Sequence, residues 1–525
     1  MGYWAEAPLS RDQLILFPTT LGDSIPEDHP VRLFYEVLSG RDWSAWENHY
    51  CGVAGQPPIH PMIVAGAILY GMSQGIRSSR RLEYACGNSV DFIWLVENRH
   101  LDHSTICNFR TRFGKELKDL FRQIGRVAMG MGLIRLNQVG LDGTYVRANS
   151  SRHATASAKT LRERLAALDE QIEEMFAQAQ KADEQDRDLF GEEYTPNALP
   201  RELSDMKRRQ EALRKALAAA EGMDSKRSKG PEAPKKASKV PVADADSTIL
   251  PNKEGGYAPN FLPVTTVDGE HGFLLGGDVP EDHSEPGTVL PAVDQIEADF
   301  EKVPGQVLAD SNFATGGNLT GLEGRGVEAF MPVESGTGGE ENPANRADPR
   351  QPVPESDWAK LPRRPQTKKL DRAAFVYDAP SDGYWCPTGH WMGFFQTKVK
   401  DRDTCEDSVY RVYRCGSCVG CPLAGECLVK GTKLRTVSRD QHEEARERAG
   451  ARFRSEAGRK TYARRSWIAE TPYAVIKGRW GFRQFLLRGL EKVRTEWSWV
   501  CTAYNLQKLV GILRAERMSA AVSAG

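Results

Sequence analysis

Apolar residues recur at helical intervals through residues 1–135 and at strand intervals beyond them, with one long charged interruption in between. Met62 to Gly75 is apolar on nearly every side, which predicts a buried helix. Ser78 and Ser79 offer caps to a second helix, beside which Arg77, Arg80 and Arg81 are exposed. A third helix is predicted from about Ser104. There Phe109, Phe113, Leu117, Leu120 and Phe121 step by 4, 4, 3 and 1 into one stripe, with Arg110, Arg112 and Lys115 off it. Two readings stand for this region: a helix-turn-helix-like module that touches DNA, or a helical bundle with solvated arginines.

Residues 137–148, NQVGLDGTYVRA, read as a strand in which Val139, Leu141, Thr144 and Val146 surround Asp142. An acid there is costly unless it is hydrogen-bonded, metal-bound or at an edge. The plainer reading is a strand-end turn at Asp142-Gly143. Residues 158–222 are a charged helical pair. Leu161, Leu165, Leu168, Ile172 and Met175 form a heptad seam, answered after Asn197 to Pro200 by Leu203, Met206, Leu213 and Leu217. An antiparallel coiled-coil hairpin is the expectation, followed over Asp224 to Val240 by a Pro/Ser/Lys-rich linker.

Strand patterns resume at Phe261 to Val267 and Gly272 to Leu275, and a helix is predicted from Thr288 to Phe300. A buried strand then ends in Asp310, at the strand end where open α/β sheets place ligands. A basic helix is expected over Gln441 to Phe453, and Val493, Trp497, Val500, Cys501 and Tyr504 mark a core-packed helix. The predicted organisation is α/β with an all-α region at 1–135 and a core over 136–332 that holds the hairpin (158–222) and linker (223–245). An insertion at 333–437 and the rest of the core at 438–525 complete it.

The chain has 525 residues, 27% of them charged, which excludes a membrane-embedded protein. Its longest apolar run, Met62 to Met72, falls short of the roughly 20 residues needed to span a bilayer. MGYWAEAPLS has no apolar signal core, so a cytoplasmic location is expected. No G-x-x-x-x-G-K-[ST] loop is present, which argues against an ATP-driven machine.

Six of the ten cysteines fall between Cys386 and Cys427, a clustering that favours metal over disulfides in a reducing compartment. Cys415, Cys418 and Cys421 repeat at an interval that can close on one tetrahedral ion, with free thiols as the alternative. Charge is uneven too. Residues 451–525 hold 15 Lys/Arg against 5 Asp/Glu, while the whole chain is −1. Within this basic segment Glu470 and Lys477 are seven residues apart, which places them on one helical face. Pro472 belongs in a helix's first turn, so Glu470 is expected at the helix entrance. Trp480 and Phe482 are candidates for base stacking or for core packing.

Tyr462, Arg465, Glu470 and Lys477 resemble the Tyr-Arg-Glu-Lys signature of bacterial insertion-sequence transposases of the DDE type. The interval from Arg465 to Glu470 is one residue longer than usual. HPMIVAGAILYGMSQGIRSSRRLE, DHSTICNFR, VLADSNFATGGNLTGLEGRGVEAFMP and WGFRQFLLRGLEKVRTEW are also similar to that family. The resemblance implies a ribonuclease H-like core with Asp142, Asp310 and Glu470 as catalytic acids. Together they would hold two Mg²⁺ ions, with Mn²⁺ as a substitute. It implies a zinc-ribbon- or knuckle-like site of Cys386, Cys418, Cys421 and Cys427, for which Cys415, Cys405 and His390 are substitutes. Tyr462, Arg465, Lys477, Arg479, Arg483 and Arg110 are the implied DNA-binding residues. The implied partners are double-stranded transposon ends and target DNA, engaged by a homodimer at the nucleoid. The implied reaction is DNA cleavage and strand transfer; an inactivated DNA-binding protein and a metal-dependent nuclease are the alternatives.

Overall fold

The computed structural model describes residues 20–50, 58–190, 201–228, 237–251, 255–333, 342–400 and 408–524. The first ten residues, Cys405 and the break at Asn197 to Pro200 lie outside them. The fold is mixed α/β.

The N-terminal part is helical. Helix α1 (Pro61–Ser73) begins at His60, whose ring nitrogen accepts from the Met62 N–H at 3.2 Å, and it is buried on almost every side. The predicted third helix is two. Helix α2 (His103–Arg112) is capped by Asp102, whose Oδ1 accepts from the Ser104 N–H at 2.7 Å. The chain then leaves helical geometry at Phe113 and re-enters it as α3 (Gly114–Gly130). The stripe survives this break, because Phe109, Phe113, Leu117 and Leu120 are all buried.

The central sheet has five strands: β1 (Gln138–Gly143), β2 (Val264–Asp268), β3 (Leu274–Asp278), β4 (Gln306–Leu308) and β5 (Glu328–Phe330). Their order is β5-β4-β1-β2-β3, with β4 parallel to both β1 and β5 and with β1, β2 and β3 antiparallel in turn. Helix α4 (Val289–Phe300) supplies the crossover from β3 to β4.

Two predicted strands are each divided. The 137–148 segment passes from β1 to a separate strand at Val146–Arg147, and the 261–267 segment is interrupted at Leu262-Pro263. Pro263 has no N–H for a ladder, and its carbonyl accepts from Thr144 N at 2.9 Å where the two chains part. Val146–Arg147, Thr248–Pro251 and Tyr257–Phe261 then form a small sheet of their own.

Two helices near the C-terminus bind these parts together. Helix α5 (Arg465–Tyr473) lies on β1, and helix α6 (Leu490–Ala524) packs its buried Trp497, Trp499 and Tyr504 against the N-terminal helices and β3. The contact is aromatic: Trp46 lies 6.3 Å from Trp499 and 5.6 Å from Phe109, centroid to centroid.

Helices Ala158–Phe190 and Arg201–Ser228 run antiparallel, since Arg162 pairs with Glu221 and Asp169 with Gln210. Leu161, Leu168, Ile172 and Leu213 are buried between them. The expected linker is structured at both ends: the helix continues to Ser228, and Lys239–Pro241 pairs with Thr155–Ser157. Ser238 N also donates to Asp224 Oδ1 at 2.9 Å. Backbone partners, which composition does not report, decide this.

A second antiparallel sheet is built from Val376–Asp378, Gly383–Trp385, Trp391–Lys400, Ser408–Cys415 and Thr436–Asp440 in sequence order. Among the described residues no helix is long and apolar enough to cross a membrane.

One buried acid has a consequence for stability. Burial pushes the Asp244 carboxyl up to about 6, against the bond it accepts from Gly489 N, and its second oxygen is buried without a partner. The folded pKa lies above the unfolded one, so the stabilisation is complete at low pH and is lost as pH rises through about 6. Asp244→Asn is expected to gain about 2 kcal/mol over wild type at pH 8 and little at pH 4, read by urea unfolding at both values. A less stable variant at pH 8 would show that the carboxylate is needed ionised.

Candidate active site

The register of β1 on β4 pairs Gly140 with Leu308. Two residues further along these parallel neighbours come Asp142 and Asp310, which therefore sit level at adjacent strand ends. Asp310 leaves its strand to cap a short helical turn, accepting from Asn312 N at 2.8 Å.

Gly140 allows α5 to lie close against β1, since a Cβ there would stand 2.7 Å from Ile468 Cγ2. This approach sets Arg465 against both acids: its Nη2 is 2.9 Å from Asp142 Oδ1 and 3.9 Å from Asp310 Oδ2. Its Nε is buried without a partner. At the other end of α5, the Tyr473 hydroxyl donates to the Asp142 carbonyl at 2.7 Å and accepts from Thr265 Oγ1 at 2.8 Å.

A third carboxylate joins them. Glu285 precedes α4 and accepts from the Asn312 amide at 3.2 Å. No sequence pattern singles it out; EDHSEPG reads as a polar loop. Burial pushes the Asp142 carboxyl up to about 6, with Arg465 opposing and Asp310 and Glu285 adding to the rise. Burial likewise raises Glu285, against the bond from Asn312, with Asp310 adding and Arg465 opposing. Tyr462 stands in the same field: burial raises its phenol, Arg465 opposes, and Asp310 and Asp142 add.

The remaining predicted residues are placed less uniformly. Glu470 is exposed on α5, and its side chain makes no hydrogen bond or ion pair among the described residues. It is not at a helix entrance. Helix α5 starts at Arg465, and Pro472 lies in its last turn. Without an N–H, Pro472 cannot donate to the Ile468 carbonyl, and the chain continues as a wider π turn over Ala474–Arg479. That turn changes the phase between Glu470 and Lys477. Lys477 instead reaches past the end of β1, with Nζ 2.6 Å from both Thr144 Oγ1 and the Tyr145 carbonyl.

Arg479 and Arg483 are exposed, whereas Trp480 and Phe482 are buried in the core. Arg110 does not face solvent. Only 8% exposed, it donates to the Arg77 carbonyl at 2.5 Å, and its own carbonyl accepts from Trp499 Nε1 at 3.1 Å. It lies off the stripe of its own helix, but α6 covers that side, so packing replaces the expected DNA contact.

Cys386, Cys415, Cys418, Cys421 and Cys427 line one cavity of about 20 Å³. Backbone N–H groups of His390 and Arg435 donate to the sulfurs of Cys386 and Cys418, at 3.3 and 3.4 Å. The hydrogen bond between Cys386 and Cys415 lowers the first thiol and raises the second, and burial pushes Cys427 up to about 11. Among the described residues, only Glu83, Asp102 and His103 have ligand atoms all within 4.8 Å of one another. The thiols and the Asp142 acids are set wider, the latter with a guanidinium between two of them.

The fold and this cluster define an α/β protein with carboxylates gathered at the ends of adjacent parallel strands. Residues 385–510 match the family model of a transposase DDE domain, and residues 19–112 match a transposase domain (DUF772). These two matches, over separate parts of the chain, support an insertion-sequence DDE transposase. The first covers Glu470 and the cysteines; Asp142 and Asp310 lie outside both. No curated protein and no solved structure matches the chain.

Proposed function

We propose that this transposase binds the ends of its element and carries out Mg²⁺-dependent strand cleavage and strand transfer from a ribonuclease H-like core. The observation that carries the reading is the level placement of Asp142 and Asp310 on adjacent parallel strands, bridged by Arg465. The strand order β5-β4-β1-β2-β3, with three antiparallel strands followed by two parallel ones, supports the core assignment. Carboxylate oxygens are the donors a hard cation takes, and Asp142 and Asp310 offer them side by side with Arg465 between them. Asp142, Asp310 and Glu470 would hold Mg²⁺, or Mn²⁺ in its place. When bound, the cation supplies Lewis acidity to the water or 3′-hydroxyl that attacks and to the oxygen that leaves.

The chain's own residues do the positioning. Arg465 holds Asp142 in orientation and lends positive charge where the phosphodiester gathers negative charge. Lys477, whose Nζ lies beside the strand end that carries Asp142, would grip a phosphate of the same strand. Tyr462 borders the acids and would orient that strand. Arg479 and Arg483 face solvent and, with the excess of Lys/Arg over residues 451–525, provide affinity that falls steeply with salt. Joining two transposon ends calls for two active sites, so a homodimer on DNA is the working assembly.

Cys386, Cys418, Cys421 and Cys427 would hold a structural Zn²⁺ once the thiols draw closer than they stand here. Thiols converge from separate segments, and backbone N–H groups already point at two sulfurs. Bound zinc would pin the second sheet's loops.

The test is cleavage and joining on DNA that carries the element's own ends, with Mg²⁺ and with EDTA, for wild type and Glu470→Gln. Wild type is expected to cut and join only with Mg²⁺. Glu470→Gln is expected to bind the ends normally while cutting at least about tenfold more slowly. Wild type that binds without cutting would identify a DNA-binding protein that has lost catalysis. Equal rates for the two proteins would remove Glu470 from the site.

A further inference from the structure

We infer that Glu285 is a further cation-holding carboxylate of this active site, acting with Asp142 and Asp310; the inference rests on the carboxylate-site reading above. Glu285 stands at the start of a short helical turn, Pro286–Thr288, where an acid would ordinarily cap the turn's own N–H groups. It makes no such cap. Its side chain turns back across the ends of β1 and β4 instead and meets the Asn312 amide, two residues beyond Asp310. Asn312 is in turn fixed by its own N–H to Asp310 Oδ1, so one short turn sets both carboxylates.

The residue after Asp142 makes room for it. A Cβ added at Gly143 would collide with Glu285 Oε1 and lie 3.1 Å from its carboxyl carbon. The φ of Gly143 is not in the left-handed region, so backbone conformation does not demand glycine here. Space for the carboxylate does. Among the described residues Glu285 forms no direct ion pair; Arg465 acts on it through space while its guanidinium is engaged by Asp142 and Asp310. A half-buried carboxylate that caps no helix, forms no direct ion pair and is given room by Gly143 beside two other acids has the chemistry of a divalent-cation ligand.

The experiment is calorimetric titration of the full chain with Mn²⁺, without DNA, for wild type, Asp142→Asn, Glu285→Gln and Gly143→Ala. Glutamine keeps the oxygen that accepts from Asn312, so a purely structural Glu285 would tolerate it. Glu285→Gln is expected to weaken Mn²⁺ binding at least about tenfold with an unchanged melting temperature. Gly143→Ala is expected to weaken it as well by displacing the carboxylate. If both bind as wild type does while Asp142→Asn does not, Glu285 is no ligand and the site stands without it. If Asp142→Asn also binds normally, the carboxylate site itself is wrong, and Glu285 falls with it.

Discussion

Asp142→Asn is expected to lower strand cleavage by about 10³-fold or more while leaving binding of transposon-end DNA within about twofold. Asp142 is tied into the site through both side chain and backbone: it meets Arg465 at 2.9 Å, and its carbonyl accepts from Tyr473. Asparagine preserves the volume and the backbone bond to Tyr473 and removes only the charge. Loss of activity cannot then be ascribed to unfolding, because burial already disfavours the ionised carboxylate in the folded chain. The check is single-turnover cleavage beside end binding, with a melting curve of each protein. Cleavage within about tenfold of wild type would overturn the assignment of Asp142.

The second large effect concerns how the N-terminal helices are held. Glu496 on α6 is 5% exposed and receives the Leu486 N–H at 3.0 Å, the Leu487 N–H at 2.9 Å and Arg77 Nη2 at 3.3 Å. Arg77 also stacks 4.0 Å from the centre of the Phe482 ring, and its carbonyl accepts from Arg110. Glu496→Ala would take the carboxylate from the largely buried Arg77 guanidinium and from two part-buried N–H groups. The expected cost is about 3–5 kcal/mol, measured by denaturant unfolding. Glu496→Gln retains an acceptor oxygen and should cost less. A loss below about 1 kcal/mol for alanine would mean that water reaches Arg77 in its place.

Asp142 and Asp310 stood out in the sequence as an acid within an apolar strand and an acid closing a buried run, but only the family resemblance chose between a site and a plain strand end. Glu285 was not legible. A glutamate before a proline in a polar loop has the same local pattern whether it faces water or a neighbouring carboxylate. Its place depends on the return of the chain from β3 to β4 and on the missing side chain at Gly143. The cysteines were legible as a cluster, but their convergence on one cavity depends on strands more than 20 residues apart in the chain.

By itself the sequence determined which faces are apolar, which of the core segments favour helix or strand though not where they break, and which acids, thiols and cations were available for chemistry. Periodicity encodes this directly, because a side chain's direction follows from its position within its own element. Tertiary structure alone decided what each face meets. Arg110 is polar by its helix's pattern and buried because α6 lies over it. Pro472 argued for a helix entrance, yet it ends α5 because the next turn widens to a π turn. The level pairing of Asp142 with Asp310 came from the register of two strands far apart in sequence, and that register is set by hydrogen bonds between them.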